Sequence, residues 1–71
     1  MKSFRDIIQA FGGGAALAHV IGQKPVTVRA WGLRNRIPSE HWHCIAKAAA
    51  THKIRGVSVD RMARFAERER A

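Results

Sequence analysis

Apolar residues recur along this chain at the three-and-four spacing of helices. Phe4, Ile7, Ile8 and Phe11 fall at i, i+3, i+4 and i+7, which predicts a helix over about Ser3–Phe11 with one apolar face. Ser3 followed by Asp6 resembles a capping box with Asp in place of Glu or Gln, and Gly12-Gly13-Gly14 stops the helix. A second helix is predicted over about Gly14–Ile21, with Leu17, Ala18 and Ile21 inward. Small Ala18 lets a neighbouring helix approach closely. Gly22 suits a chain reversal because it takes a positive φ without steric cost. Pro25 restarts a helix over about Pro25–Leu33, since the first helical position needs no N–H. On that third helix Val28 and Trp31 point one way, and Val26, Arg29, Ala30 and Leu33 the other.

Two short helices joined by a tight turn make a helix-turn-helix, here at about residues 14–33. Pro38 opens a fourth helix, about Pro38–Thr51, with Trp42, Ile45, Ala46 and Ala49 as its buried stripe. Between Thr51 and Val57 the chain is basic, and Ile54 and Val57 among polar residues allow a short extended stretch. Ser58 then caps a last helix reaching about residue 70, with Asp60 in its first turn complementing the helix dipole. Its apolar face carries Val59, Met62, Ala63, Phe65 and Ala66. That face is wide for so small a domain, so Met62, Phe65 and Ala66 are candidates for a dimer contact, the alternative being that they close the core. Repeats and linkers are absent, and the expected architecture is one all-α domain of five helices over residues 1–71.

Composition narrows the partners. A chain of 71 residues buries only about 60% of the surface it exposes when unfolded, so it is marginally stable alone. Its net charge of +8, from thirteen Lys and Arg against five Asp and Glu, predicts attraction to a polyanion. Charge alone also fits a solubility device or an anionic-membrane binder; the helix-turn-helix turns the expectation to nucleic acid. With no Tyr, and with Phe and Trp at core spacings, there is no aromatic platform for stacking single-stranded bases, which leaves the duplex. One cysteine, Cys44, suits a reducing compartment. No apolar run nears the roughly 20 residues of a membrane span, and no signal-peptide core is visible. A soluble, cytoplasmic protein without membrane contact is expected.

Candidate chemistry is thin elsewhere. The triple glycine has no following Lys-Ser/Thr and no preceding strand, so it is not read as a phosphate loop. His41, His43, Cys44 and His52 invite zinc, but His41 and Cys44 point about 60° apart on their helix and His43 about 100° away from Cys44, so no metal is expected. His19 falls on the solvent side. The acids Asp6, Glu40, Asp60, Glu67 and Glu69 are each accounted for by a cap, a helix face or a tail, and none forms an acid/base pair. No catalysis, cofactor or small-molecule ligand is expected. The outer face of the third helix stands apart, with an arginine among small or apolar groups and nothing acidic. That composition suits a major groove, where Arg grips guanine O6/N7 and Val or Ala touches a thymine methyl.

The run FGGGAALAHVIGQKPVTVRAWGLRNRIPSEHW resembles the Cro/CI-type, lambda-repressor-like helix-turn-helix regulators of phages and prophages, above all small Cro-like repressors with an Ile-Pro-x-x-His-Trp ending. The likeness spans about Phe11–Ala50, with Ala18, Gly22, Val28 and Trp31 at the family's offsets and Ile37-Pro38-Ser39-Glu40-His41-Trp42 continuing in register. It implies a compact helical bundle that binds a palindromic double-stranded DNA operator as a homodimer and represses transcription, including that of its own gene. Carried over, Lys24, Val26, Arg29 and Ala30 fall where such proteins approach base edges. Gly14 and Ala15 fall where backbone meets phosphate, and Arg34, Asn35 and Arg36 where the flanking phosphates are braced; Gln23 and Thr27 join this backbone-contacting set. Where the family often has Gln or Ser, this chain has Pro25 and Val26, so base reading leans on Arg29, with Lys24 or Gln23 assisting. Two rival roles share the scaffold: an antitoxin that also binds a toxin, and a protein-binding inhibitor that uses the Phe65 face and no DNA.

Overall fold

The computed structural model describes residues 2–70, with side chains through residue 68. Met1 and Ala71, the ends of the expected 1–71 unit, and the Glu69 side chain assigned to a tail lie outside what is described. The helices are α1 (Phe4–Ala10), α2 (Gly14–Ile21), α3 (Pro25–Arg34), α4 (Trp42–Thr51) and α5 (Val59–Arg70), with a 3₁₀ turn over Ser39–His41 before α4. No strand occurs among the described residues.

Helices α1, α3 and α5 begin where a side chain or a proline provides for it. The Ser3 hydroxyl accepts from the Asp6 N–H at 3.4 Å. In return Asp6 Oδ2 accepts from the Lys2 N–H at 2.8 Å, one residue before the cap. Ser58 caps α5 by accepting from the Arg61 N–H at 3.1 Å. Pro25 occupies the first turn of α3.

Four helices end alike, with one residue at positive φ and the following N–H returned to a carbonyl five residues back, the Schellman pattern. After α1 that residue is Gly12, φ 101°, and the Gly13 N–H donates to Ile8 at 3.1 Å. After α2 the left-handed residue is Gly22, φ 72°, and the Gln23 N–H donates to Ala18 at 2.9 Å. After α3 it is Asn35, φ 54°, with Arg36 donating to Trp31 at 3.0 Å. After α4 it is Lys53, φ 56°, with Ile54 donating to Ala49 at 2.8 Å.

That last closure corrects the extended stretch expected over Thr51–Val57. After Thr51 ends α4 the segment makes turns at His52–Lys53 and at Arg55–Gly56, with positive φ at Lys53 and at Gly56, φ 85°. Ile54 and Val57 are half-buried, spaced by three and not alternating by two, and Val57 packs against the core. The predicted start of the fourth helix also moves. Its first turn is 3₁₀, which often tightens a helix end, and the α-helix begins at Trp42.

The core is apolar throughout, with no buried polar or charged side chain among the described residues. Phe4 is its hub, stacked on Trp42 at 6.1 Å between ring centroids and edge-on to Phe65 at 5.5 Å, so α1, α4 and α5 meet on one ring. Leu17, Ala18, Val28 and Ile45 are fully enclosed. Ala18→Leu therefore has no room, and overpacking of this kind is expected to cost about 1–3 kcal/mol in a urea unfolding titration followed by tryptophan fluorescence.

The wide apolar face of α5 is consumed inside the protomer. Met62 is 0% exposed and Phe65 5%, and half-buried Ala66 packs against the same cluster. Of the two readings of Met62, Phe65 and Ala66, they close the core. Met62 and Phe65 have no surface left for a dimer contact, and the inhibitor reading loses the Phe65 face it required.

Candidate nucleic-acid interface

The outer face of α3 stands free. Val28 and Trp31 anchor the helix, which turns Val26 (69% exposed) and Leu33 (85% exposed) outward with Arg29, while Ala30 between them is half-buried. Lys24, just before the helix, is exposed, and Gln23 and Thr27 are half-buried.

Arg29 rises from a close approach of α3 to the first residue of α2. A Cβ added to Gly14 would lie 3.4 Å from Arg29 Cγ and 3.6 Å from the Arg29 backbone N. Glycine at the first position of α2 therefore seats the α2 terminus against the Arg29 stem, a closeness the sequence reading placed at Ala18 alone. Ala15, one residue on, is exposed.

Electrostatically this side is uniform. No acidic residue occurs from Ile7 to Ser39, a stretch that carries Lys24, Arg29, Arg34 and Arg36. Among the described residues, none of these four side chains has a hydrogen bond or ion pair within the chain. Four cations with no counter-charge of their own form a surface suited to phosphate.

The segment after α3 is fixed by aromatic residues. Ile37 is buried, and the indole N–H of Trp42 donates to its carbonyl at 2.7 Å. The His41 ring lies 4.8 Å from Trp31, and its Nε2 stands 3.9 Å from Glu40 Oε1. These contacts give the Ile-Pro-x-x-His-Trp run a physical purpose, since they hold Arg34 and Arg36 beside a groove of about 340 Å³ lined also by Trp31 and Pro38. Trp42→Phe keeps an aromatic ring and deletes the donor together with the rest of the indole. It is expected to cost more than about 1 kcal/mol by urea unfolding, the usual loss for one hydrogen bond, because packing against the core is lost with it.

Between the two arginines, Asn35 is tied to the rest of the fold. Its side-chain oxygen accepts from the Arg5 N–H at 3.0 Å, and its backbone makes the left-handed close of α3. Both facts give it a part in joining α1 and α3. An Asn tolerates this backbone better than most residues.

Arg5 and Gln9 were missed by sequence reasoning. Arg5 Nε donates to the Gly32 carbonyl at 3.0 Å, near the C-terminus of α3 where a cation is favoured. With Gln9, Gly14, Arg29 and Leu33 it lines a groove of about 370 Å³ floored by Ile8 and Val28. The apolar spacing of α1 shows only that Arg5 and Gln9 point away from the core, and no local signal tells that α3 lies beside them.

The remaining candidates are scattered. His19, His43, Cys44 and His52 are exposed, His52 edge-on to Phe11 at 6.5 Å between ring centroids. Among the described residues no three His, Cys, Asp or Glu side chains come together as metal ligands. No described helix is long and apolar enough to cross a membrane. No protein-family model, curated protein or solved structure matches the chain.

Proposed function

We propose that this chain is a sequence-specific double-stranded-DNA-binding transcriptional regulator of the Cro/CI, lambda-repressor-like type. The observation that carries the reading is the free, acid-less outer face of α3 around Arg29, held by Val28 and Trp31. On this reading α2 and α3 are the helix-turn-helix, and α3 lies in the major groove. Arg29 makes the principal base contact, bidentate to guanine O6/N7, with Lys24 and Ala30 alongside. The α2 terminus at Gly14 and Ala15, together with Arg34 and Arg36, sets the register on the phosphates.

A domain of this size reads few base pairs, so it acts as a twofold dimer on a palindromic operator. The half-sites lie roughly 34 Å apart, one helical turn. The dimer contact lies outside Met62 and Phe65, which the core has enclosed.

The reading is tested by titrating duplex DNA at several salt concentrations. Binding that weakens steeply with added salt is the expected result, because phosphate contacts release counterions. Arg36→Ala is expected to lower affinity for all sequences alike and to reduce the salt slope by about 1. Absence of binding at low salt would remove the reading.

A further inference from the structure

Two of the three large apolar side chains left well exposed among the described residues, Val26 and Leu33, lie on the outer face of α3. Val26 is in the first turn, the end that enters a groove in helix-turn-helix docking. Pro25 before it has no N–H, and Val26 has no polar side-chain atom, so neither side chain can hydrogen-bond a base edge. What Val26 can recognise is an apolar group. On the major-groove edges that group is the C5 methyl of thymine, which 5-methylcytosine also carries.

Arg29 stands three residues further on, one turn along the same face, with Cβ atoms about 5–6 Å apart at that spacing. Successive bases along a strand are about 3.4 Å apart, so the two side chains reach adjacent bases. The acid-free run from Ile7 to Ser39 and the unpaired Lys24 and Arg29 make this face complementary to DNA and not to a basic or neutral partner. Resting on the duplex-DNA reading above, we propose that Val26 reads a 5-methylpyrimidine within one base step of the guanine held by Arg29, so that binding depends on the pyrimidine methyl group.

The test begins by enriching a pool of short randomised duplexes on the full chain. The enriched sequence is then resynthesised with deoxyuridine replacing thymine, and with cytosine or 5-methylcytosine at the same place. Enriched sequences are expected to share a thymine–guanine step. Deoxyuridine at that step should weaken binding about fourfold, the factor for burying one methyl-sized group, and 5-methylcytosine should bind tighter than cytosine by a similar factor. Val26→Ala, an exposed change to a good helix former, withdraws both γ-methyls and leaves only a shorter side chain at that point, so the ratio between thymine and deoxyuridine duplexes should fall to near one. Leu33→Ala, which removes apolar surface from the far end of the same face, should keep the fourfold ratio.

Equal wild-type affinity for thymine and deoxyuridine duplexes would overturn the assignment. So would a ratio that survives Val26→Ala or disappears in Leu33→Ala. A pool from which nothing is enriched removes the duplex-DNA reading itself, a result distinct from enrichment without methyl dependence.

Discussion

Phe4→Ala is expected to leave most of the chain unfolded at room temperature. The ring is buried at the meeting of α1, α4 and α5, against Trp42 and Phe65. Truncating such a residue costs about 3–5 kcal/mol through lost burial and the cavity left behind. A single core in a chain this short supplies only about 3–5 kcal/mol in total, so the loss matches the whole margin. Helix content by circular dichroism should collapse, and any residual transition should fall more than about 12 °C below that of the parent chain. Phe11→Ala, at the same helical spacing but half-buried, should lose clearly less. A cooperative Phe4→Ala transition within a few degrees of the parent would show that the three helices do not depend on this ring.

Arg29→Ala carries the largest expected effect on binding. The side chain is exposed and makes no hydrogen bond or ion pair within the described chain, so its removal should change stability by no more than about 0.5 kcal/mol. Losing a bidentate guanine contact should cost about 1–3 kcal/mol, roughly five- to 150-fold in affinity, and relax discrimination at one base pair. Arg29→Lys separates charge from geometry. It keeps the cation and loses the planar fork, so affinity for unrelated duplexes should persist while the preference for the selected sequence falls. Competition binding with the selected and a scrambled duplex measures both quantities. An unchanged preference in Arg29→Ala would move base reading to another residue.

The parts of the fold legible in the sequence are those fixed by local chemistry. Gly22, Pro25, Val28 and Trp31 each answer to a turn, a helix start or a buried stripe, and α2 and α3 form where those residues place them. Ser3 and Ser58 cap as their types suggest. What stayed hidden depends on residues distant along the chain, or on a backbone state that the residue type does not advertise. Lys53 adopts a left-handed conformation that glycine or asparagine would have signalled, so the turn after α4 was mistaken for extended chain. The bond that the Asn35 side chain accepts from Arg5, thirty residues away, has no signature among its arginine neighbours. Met62 and Phe65 looked surplus because the breadth of one helix face does not tell how much core the other helices leave for it to fill. For the candidate interface, spacing placed Arg29 outside correctly, and only the packed structure brought Arg5 and Gln9 beside it.

The claim on which the rest depends is that the α3 face, and no other, meets DNA. Backbone amide chemical shifts of the isotope-labelled chain, followed by NMR as an enriched duplex is added, test it directly. The account predicts the largest changes at Lys24, Val26, Arg29 and Ala30, with Gly14, Ala15, Arg34 and Arg36 next and the outer side of α5 unmoved. Changes confined to α4 and α5, with the α3 amides still, would contradict it.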